Sequence, residues 1–241
     1  MKIASGAILI LVITGMLMLA VNIQPVESCN RAYFSDNFNS RILSPKWTIT
    51  DPDGGSTFSL TAHRGWLRIT TTSPPGRDLI GTNLVNAPRI VQSVNGDFTI
   101  KTKISSVMDA NDEGAGIVVW KDSSNYLRLE RMSRTIGYPI EPQIVFIGTI
   151  NGVWSMPSSQ QSSPGGIIHL PSSINPTYLK LTRSGNIFSG YYSADGIHWN
   201  HVADITLPVN GSVQIGLDII NVYHSGTFFA DFDYFRITVK R

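Results

Sequence analysis

The sequence predicts an all-β fold, a sandwich of two packed antiparallel sheets. Three observations predict it: apolar residues that alternate with polar ones, turn signals at short intervals, and no long helical periodicity after residue 30. In "DFTIKTKI", Phe98, Ile100, Thr102 and Ile104 fall on one face, with Lys101 and Lys103 on the other. In "YLRLER", Leu127 and Leu129 lie opposite Tyr126, Arg128 and Glu130. In "YLKLTR", Leu179 and Leu181 lie opposite Tyr178, Lys180 and Thr182. Period-two alternation of this kind marks strands with one buried and one solvated face.

Turn signals separate these runs: Pro52-Asp53-Gly54-Gly55, Pro74-Pro75-Gly76, Asn95-Gly96, Asn151-Gly152, Ser184-Gly185-Asn186, Asp195-Gly196 and Asn210-Gly211. About a dozen short strands fit such spacing. The low-complexity stretch "SMPSSQQSSPGG" (155–166) reads as a loop, and nothing reads as an interdomain linker. Residues 29–241 are therefore one domain.

Residues 1–28 differ from the rest. Lys2 precedes an almost unbroken apolar run from Ile3 to Ile23, and Val26-Glu27-Ser28 follows. This is the pattern of a secretory signal peptide. The run also approaches the roughly 20 residues a membrane-spanning helix needs, so an uncleaved anchor is the alternative. Either reading places the body outside the cell, secreted or at the cell surface, with membrane contact only through this segment. Cys29, the single cysteine, reads as a free thiol near the start of the body and excludes an internal disulfide. A net charge of +2 with 15% charged residues lacks a nucleic-acid footprint.

In "FSGYYSADGIHWNHVADI" (188–205), Phe188, Gly190 and Tyr192 share a strand face, and Asp195-Gly196 suits a tight hairpin. Trp199 then reads as a buried corner residue. Trp47 and Trp66 read likewise as core plugs.

Four segments resemble the concanavalin A-like superfamily of lectins and glucanases, and most closely the C-terminal sandwich of family-43 β-xylosidases with its stand-alone relatives. "YLKLTRSGNIFSGYYSADGIHW" is similar to its strand–hairpin–strand signature, "FSDNFNSRILSPKW" to its opening strand, "EGAGIVVWKDSSNYLRLER" to its central hairpin and "GTFFADFDYFRI" to its closing strand. These run in matching order from residue 34 to 237. The resemblance implies a concanavalin A-like jelly roll. It leaves function open, because such sandwiches serve as lectins, glycosidases and structural modules.

Glycoside hydrolysis needs two carboxyl groups roughly 5–9 Å apart. The Glu-x-Asp-x-x-Glu motif of sandwich glucanases is absent. Asp231 and Asp233 share a strand face at about 7 Å by strand rise, which leaves an atypical glycosidase as one alternative. His198 and His201 face opposite sides of a strand, against a shared zinc. Lectin-like sandwiches often carry calcium, and "DANDEG" offers Asp109, Asn111 and Asp112 as candidate ligands without the spacing of an EF-hand. "NGS" at Asn210 is a usable glycosylation sequon.

Sugar binding has the best physical case, because aromatic platforms beside fixed polar groups fit apolar CH faces and hydroxyl rims. Tyr126, Arg128 and Glu130 are expected to line a solvated groove, with Trp120 on the neighbouring strand, Trp154 before the polar loop and Asp233 as a polar neighbour. The sequence thus predicts an exported, non-catalytic module that binds polysaccharide or cell-surface glycan. A structural or adhesion module of the cell envelope is the other alternative.

Overall fold

A computed structural model of the chain describes residues 33–72, 76–134, 141–155, 166–171, 173–223 and 226–240. The signal or anchor segment, Cys29, Pro74-Pro75 and most of the 155–166 loop lie outside the described residues. No helix occurs among the described residues. The first nine strands are β1 (Thr48–Thr50), β2 (Thr57–Ser59), β3 (Leu67–Thr72), β4 (Leu79–Ile80), β5 (Leu84–Val85), β6 (Arg89–Val94), β7 (Phe98–Ser105), β8 (Glu113–Asp122) and β9 (Asn125–Arg134). Then come β10 (Glu141–Ile150), β11 (Val153–Ser155), β12 (Gly166–His169), β13 (Thr177–Ser184), β14 (Ile187–Ser193), β15 (Asn200–Thr206), β16 (Val213–Asn221) and β17 (Thr227–Val239).

Two antiparallel sheets pack face to face. The eight-stranded sheet has the order β1-β6-β16-β8-β9-β10-β11, with β12 also paired to β10. The seven-stranded sheet has the order β15-β14-β13-β7-β17-β3-β2. Between them lies one core. The expected inward residues Phe98, Ile100, Ile104, Leu127, Leu129, Leu179 and Leu181 are all fully buried in it. Gly190 on β14 marks a close approach of the sheets: a Cβ there would sit 2.8 Å from the Phe146 ring on β10.

The opening strand motif closes one end of this core. Trp47 is buried and donates its indole N–H to Asp36 Oδ2 at 3.0 Å. Asp36 and Phe235 exchange both backbone hydrogen bonds, at 2.8 Å each. The Trp47 ring packs edge-on against Phe34 and Phe235. Trp47 is thus the core plug the sequence predicts.

Two other tryptophans are not. Trp66 and Trp199 are only half-buried, on the outer face of the seven-stranded sheet. The corner that carries Trp199 is also longer than a two-residue hairpin, because β14 ends at Ser193 and β15 begins at Asn200. Asp195 organises this loop. Its carboxylate accepts the backbone N–H groups of Ile197 and His198 at 2.8 Å, and Ser193 Oγ accepts that of Gly196. Gly196 takes a left-handed φ of 77°.

A third element, the short β4–β5 hairpin, belongs to neither sheet. Residues 77–87, which contain it, pack on the outer face of the eight-stranded sheet. Leu79 and Ala87 form a second apolar cluster with Val91, Val118, Tyr126 and Ile220. The central strands β8, β9 and β10 are therefore buried on both faces, unlike the half-solvated strands that alternation predicts.

Candidate functional site

Strand register puts Tyr126, Arg128 and Glu130 of β9 on one face, as expected. Trp120 pairs with Tyr126, Val118 with Arg128, and Gly116 with Glu130. That face is not a solvated groove. Tyr126 and Glu130 are fully buried and Arg128 is 2% exposed. The strap formed by residues 77–87 excludes water from them. Tyr126 donates its hydroxyl to the Gly81 carbonyl at 2.8 Å, and Arg128 Nη1 meets Asp78 Oδ1 at 2.7 Å. The reason is the outer face itself, where Val91, Val118, Val145, Ile147 and Ile220 need cover.

Most of the predicted site residues do come together there. Trp120 stacks on Tyr126 with ring centroids 5.3 Å apart, and the Arg89 guanidinium lies 4.1 Å over Trp120. Arg128 lies 5.1 Å from the centre of the Trp154 ring. Trp120 and Trp154 are half-buried at the rim of this stack. Asp233 is not a neighbour, because it sits on β17 in the other sheet.

A charged network lies beneath the strap. Asp218 on β16 pairs in register with Arg89 on one side and Gly116 on the other, and Gly116 pairs with Glu130. Gly116 permits the close approach of β8 and β9 in this row. A Cβ there would meet the Leu129 carbonyl oxygen at 2.1 Å. Arg128 lies 3.8 Å from Glu130 Oε2. Burial alone would lower the Arg128 pKa, but Glu130 and Asp78 outweigh it and hold the guanidinium above its ordinary value. No protein donor reaches the oxygens of Glu130 or Asp218. Burial drives both carboxyl groups upward, Glu130 well above the usual range and Asp218 to about 6. Asp218 adds to the rise at Glu130, whereas the hydrogen bond from Glu130 works against the rise at Asp218, as for a protonated Glu130 that donates to Asp218.

The Asp231 and Asp233 carboxylates are each engaged by cations. Asp231 accepts two bonds from Arg68, at 2.7 Å each, and lies 2.9 Å from His63 Nδ1. Asp233 pairs with Lys103 at 3.0 Å.

The calcium candidates Asp109, Asn111 and Asp112 lie in the turn that leads into β8. Asp109 and Asn111 are exposed, and among the described residues no group of three His, Cys, Asp or Glu side chains could hold a metal. The Glu113 carboxylate instead accepts the backbone N–H groups of Asp109 and Ala110. Calcium needs six to eight oxygens converging on one point.

The surface that sequence reasoning missed is the outer face of the seven-stranded sheet. Trp66, Tyr178, Tyr191, Trp199, Phe229 and Tyr234 are all half-buried there. Cations lie against their rings: Lys103 is 4.7 Å from the Trp66 centroid, Lys180 4.6 Å from Trp199 and 4.1 Å from Tyr191, and Arg68 4.0 Å from Phe229. The alternation of Lys101, Lys103 and Lys180 with core residues marked this face as solvated. Nothing in the local sequence showed that Trp66 and Trp199 would join it.

Residues 35–238 match the family described as the β-xylosidase C-terminal concanavalin A-like domain. The chain belongs to that family. Among solved structures, this concanavalin A-like domain is similar to the GH43 protein BlXynB from Bacillus licheniformis, with 22% identity and a TM-score of 0.67 over 86% of this chain and 39% of that one. A functionally unknown protein from Saccharomyces cerevisiae aligns at 14% identity and a TM-score of 0.64, over 81% of this chain and 97% of that one. The exoplasmic/lumenal domain of VIP36, in a Ca2+/Man3GlcNAc-bound form, aligns at 14% identity and a TM-score of 0.51, over 81% and 85%. At these identities the likeness is one of fold. The concanavalin A-like domain here spans about two fifths of the BlXynB chain. No curated protein sequence matches it.

Proposed function

We propose that the chain is an exported, non-catalytic glycan-binding module that works at the secretory or cell-surface side of the membrane. The observation that carries this reading is the row of half-buried rings on the outer face of the seven-stranded sheet, above all Trp199 and Tyr191. Half-exposed rings held by neighbouring cations offer flat apolar platforms, and sugars offer apolar CH faces to stack on them. On the strapped face of the other sheet Tyr126, Arg128 and Glu130 lie under residues 77–87, which leaves the half-buried Trp120 and Trp154 at the rim. The engagement of Asp231 and Asp233 by Arg68, His63 and Lys103 supports binding over acid–base catalysis by that pair. The VIP36 fold neighbour carries a glycan on a similar sandwich, which lends the reading support.

A glycan array probed with the purified chain tests the proposal. Binding to a polysaccharide class is expected, with loss in Trp199→Ala and Tyr191→Ala while the circular dichroism spectrum stays unchanged. Retention of binding in both variants would move the site off this face.

A further inference from the structure

One row across the outer face of the seven-stranded sheet is unusual in its charge. Cross-strand register sets Arg236 of β17 opposite Lys101 of β7, Lys101 opposite Lys180 of β13, Lys180 opposite Tyr191 of β14, and Tyr191 opposite His201 of β15. Like charges directly opposite on paired strands destabilise a sheet. Neighbouring strands lie about 4.8 Å apart, so three cations fall within a span of roughly 10 Å.

Among the described residues these three cations have no ion-pair partner, and no side-chain hydrogen bond reaches them. The carboxylates of β15 and β17 on this side are already engaged: Asp231 with Arg68 and His63, Asp233 with Lys103, and Asp204 with His201. What the cations touch instead are rings. Lys101 and Lys180 both lie over Trp199, at 5.4 and 4.6 Å, and Arg236 lies 4.2 Å over Tyr234. A ring face attracts a cation but accepts none of its conventional hydrogen bonds, so the ammonium donors of both lysines remain available. Burial first, and the adjacent Lys101 charge second, lower the Lys180 pKa.

We propose that the Arg236–Lys101–Lys180 row, flanked by Trp199 and Tyr191, is a binding track for an acidic polysaccharide. Carboxylate or sulfate groups of the polymer supply the ion-pair partners, and its sugar rings stack on Trp199 and Tyr191. This deepens the glycan-binding reading and rests on it. A long polyanion of another kind would meet the same cations. The aromatic platforms beside the cations and the low net charge of the chain, +2, favour a polysaccharide over nucleic acid.

The test is isothermal titration calorimetry of the full chain with polygalacturonate, dextran sulfate and neutral xylan, at low and high salt. Polygalacturonate separates a carboxylate ligand from the sulfate arm. Binding to at least one acidic polymer is expected to be 10-fold or more tighter than to xylan and to weaken with salt. Lys101→Gln with Lys180→Gln is expected to remove most of that preference. Removing two like charges should leave the melting temperature equal or higher, so the loss would not reflect unfolding. Equal, salt-independent binding of acidic and neutral polymers would overturn the acidic track and leave the glycan reading standing. Failure to bind any glycan would overturn both. Tighter binding to single-stranded DNA or to phosphatidylserine vesicles than to either acidic polysaccharide would also overturn the proposal.

Discussion

Arg128 and Asp78 meet at 2.7 Å under the strap, and their contact ties the outer face of the eight-stranded sheet to the segment that covers it. Both side chains are almost wholly buried. Breaking a buried ion pair by removing one partner leaves the other charge stranded, at a cost of about 3–5 kcal/mol. Asp78→Ala is therefore expected to lower stability by that order in urea unfolding. It should also raise proteolysis within residues 77–87, because the strap loses its polar anchor. Replacing both partners, as in Asp78→Leu with Arg128→Met, should cost less than Asp78→Ala alone. An Asp78→Ala midpoint equal to that of the parent chain would show that the pair contributes nothing.

The Glu130–Asp218 pair predicts a pH dependence. Burial pushes the Asp218 carboxyl up to about 6, above its value in an unfolded chain, and pushes Glu130 well above its ordinary value. The folded state thus holds these protons more tightly than the unfolded state does. The Asp218 contribution to stability is fully present below about pH 4 and is lost as pH rises through about 6. Asp218→Asn keeps the shape, cannot ionise, and can donate to Glu130. The melting temperature of Asp218→Asn relative to the parent chain is expected to rise between pH 4 and pH 7, read by calorimetry. A difference that stays flat across that range would show that the pair does not share a proton.

Gly116 lets that row close. A methyl group there would meet the Leu129 carbonyl oxygen at 2.1 Å, and backbone cannot yield as a flexible side chain can. Gly116→Ala is expected to leave little folded protein. Gly211→Ala is a useful contrast, because it meets open space and strains only its left-handed backbone at φ 82°. It should cost about 1 kcal/mol. Soluble, cooperatively melting Gly116→Ala would show that β8 and β9 can separate without loss of the fold.

The fold was legible because alternation reports the inward face of each strand directly. Ile100, Leu129 and Leu181 had to be core, and they are. The outward faces were not legible in the same way. A polar residue opposite a buried leucine can face water or a second layer, and period-two patterning gives both the same signature. Arg128 and Glu130 face the second layer. The hint lay in the neighbouring strands, where Ala115 to Val119 and Ile144 to Ile147 run apolar or glycine on both faces, the pattern of strands covered twice. A second hint was the apolar content of 79–85, high for a loop. For Trp199, exposure depends on a six-residue corner held by Asp195 and Ser193, a tertiary feature that no spacing encodes.

The two tryptophans Trp47 and Trp199 supply the sharpest contrast. Trp47 is buried, satisfied at its indole N–H by Asp36, and packed between Phe34 and Phe235. Its removal opens a cavity at the end of the core. Trp47→Ala is expected to cost about 3–5 kcal/mol, as for other buried large aromatics. Trp199 lies half-exposed on Lys101 and Lys180, where an alanine leaves lysine stems open to water rather than a void. Trp199→Ala should cost about 1 kcal/mol or less, since a surface cation–π contact contributes on that order. The same substitution should abolish glycan binding, whereas a folded Trp47→Phe should retain it. Unfolding midpoints measured beside binding separate the two roles. A large stability loss in Trp199→Ala with binding intact would make Trp199 a packing residue and remove it from the proposed track.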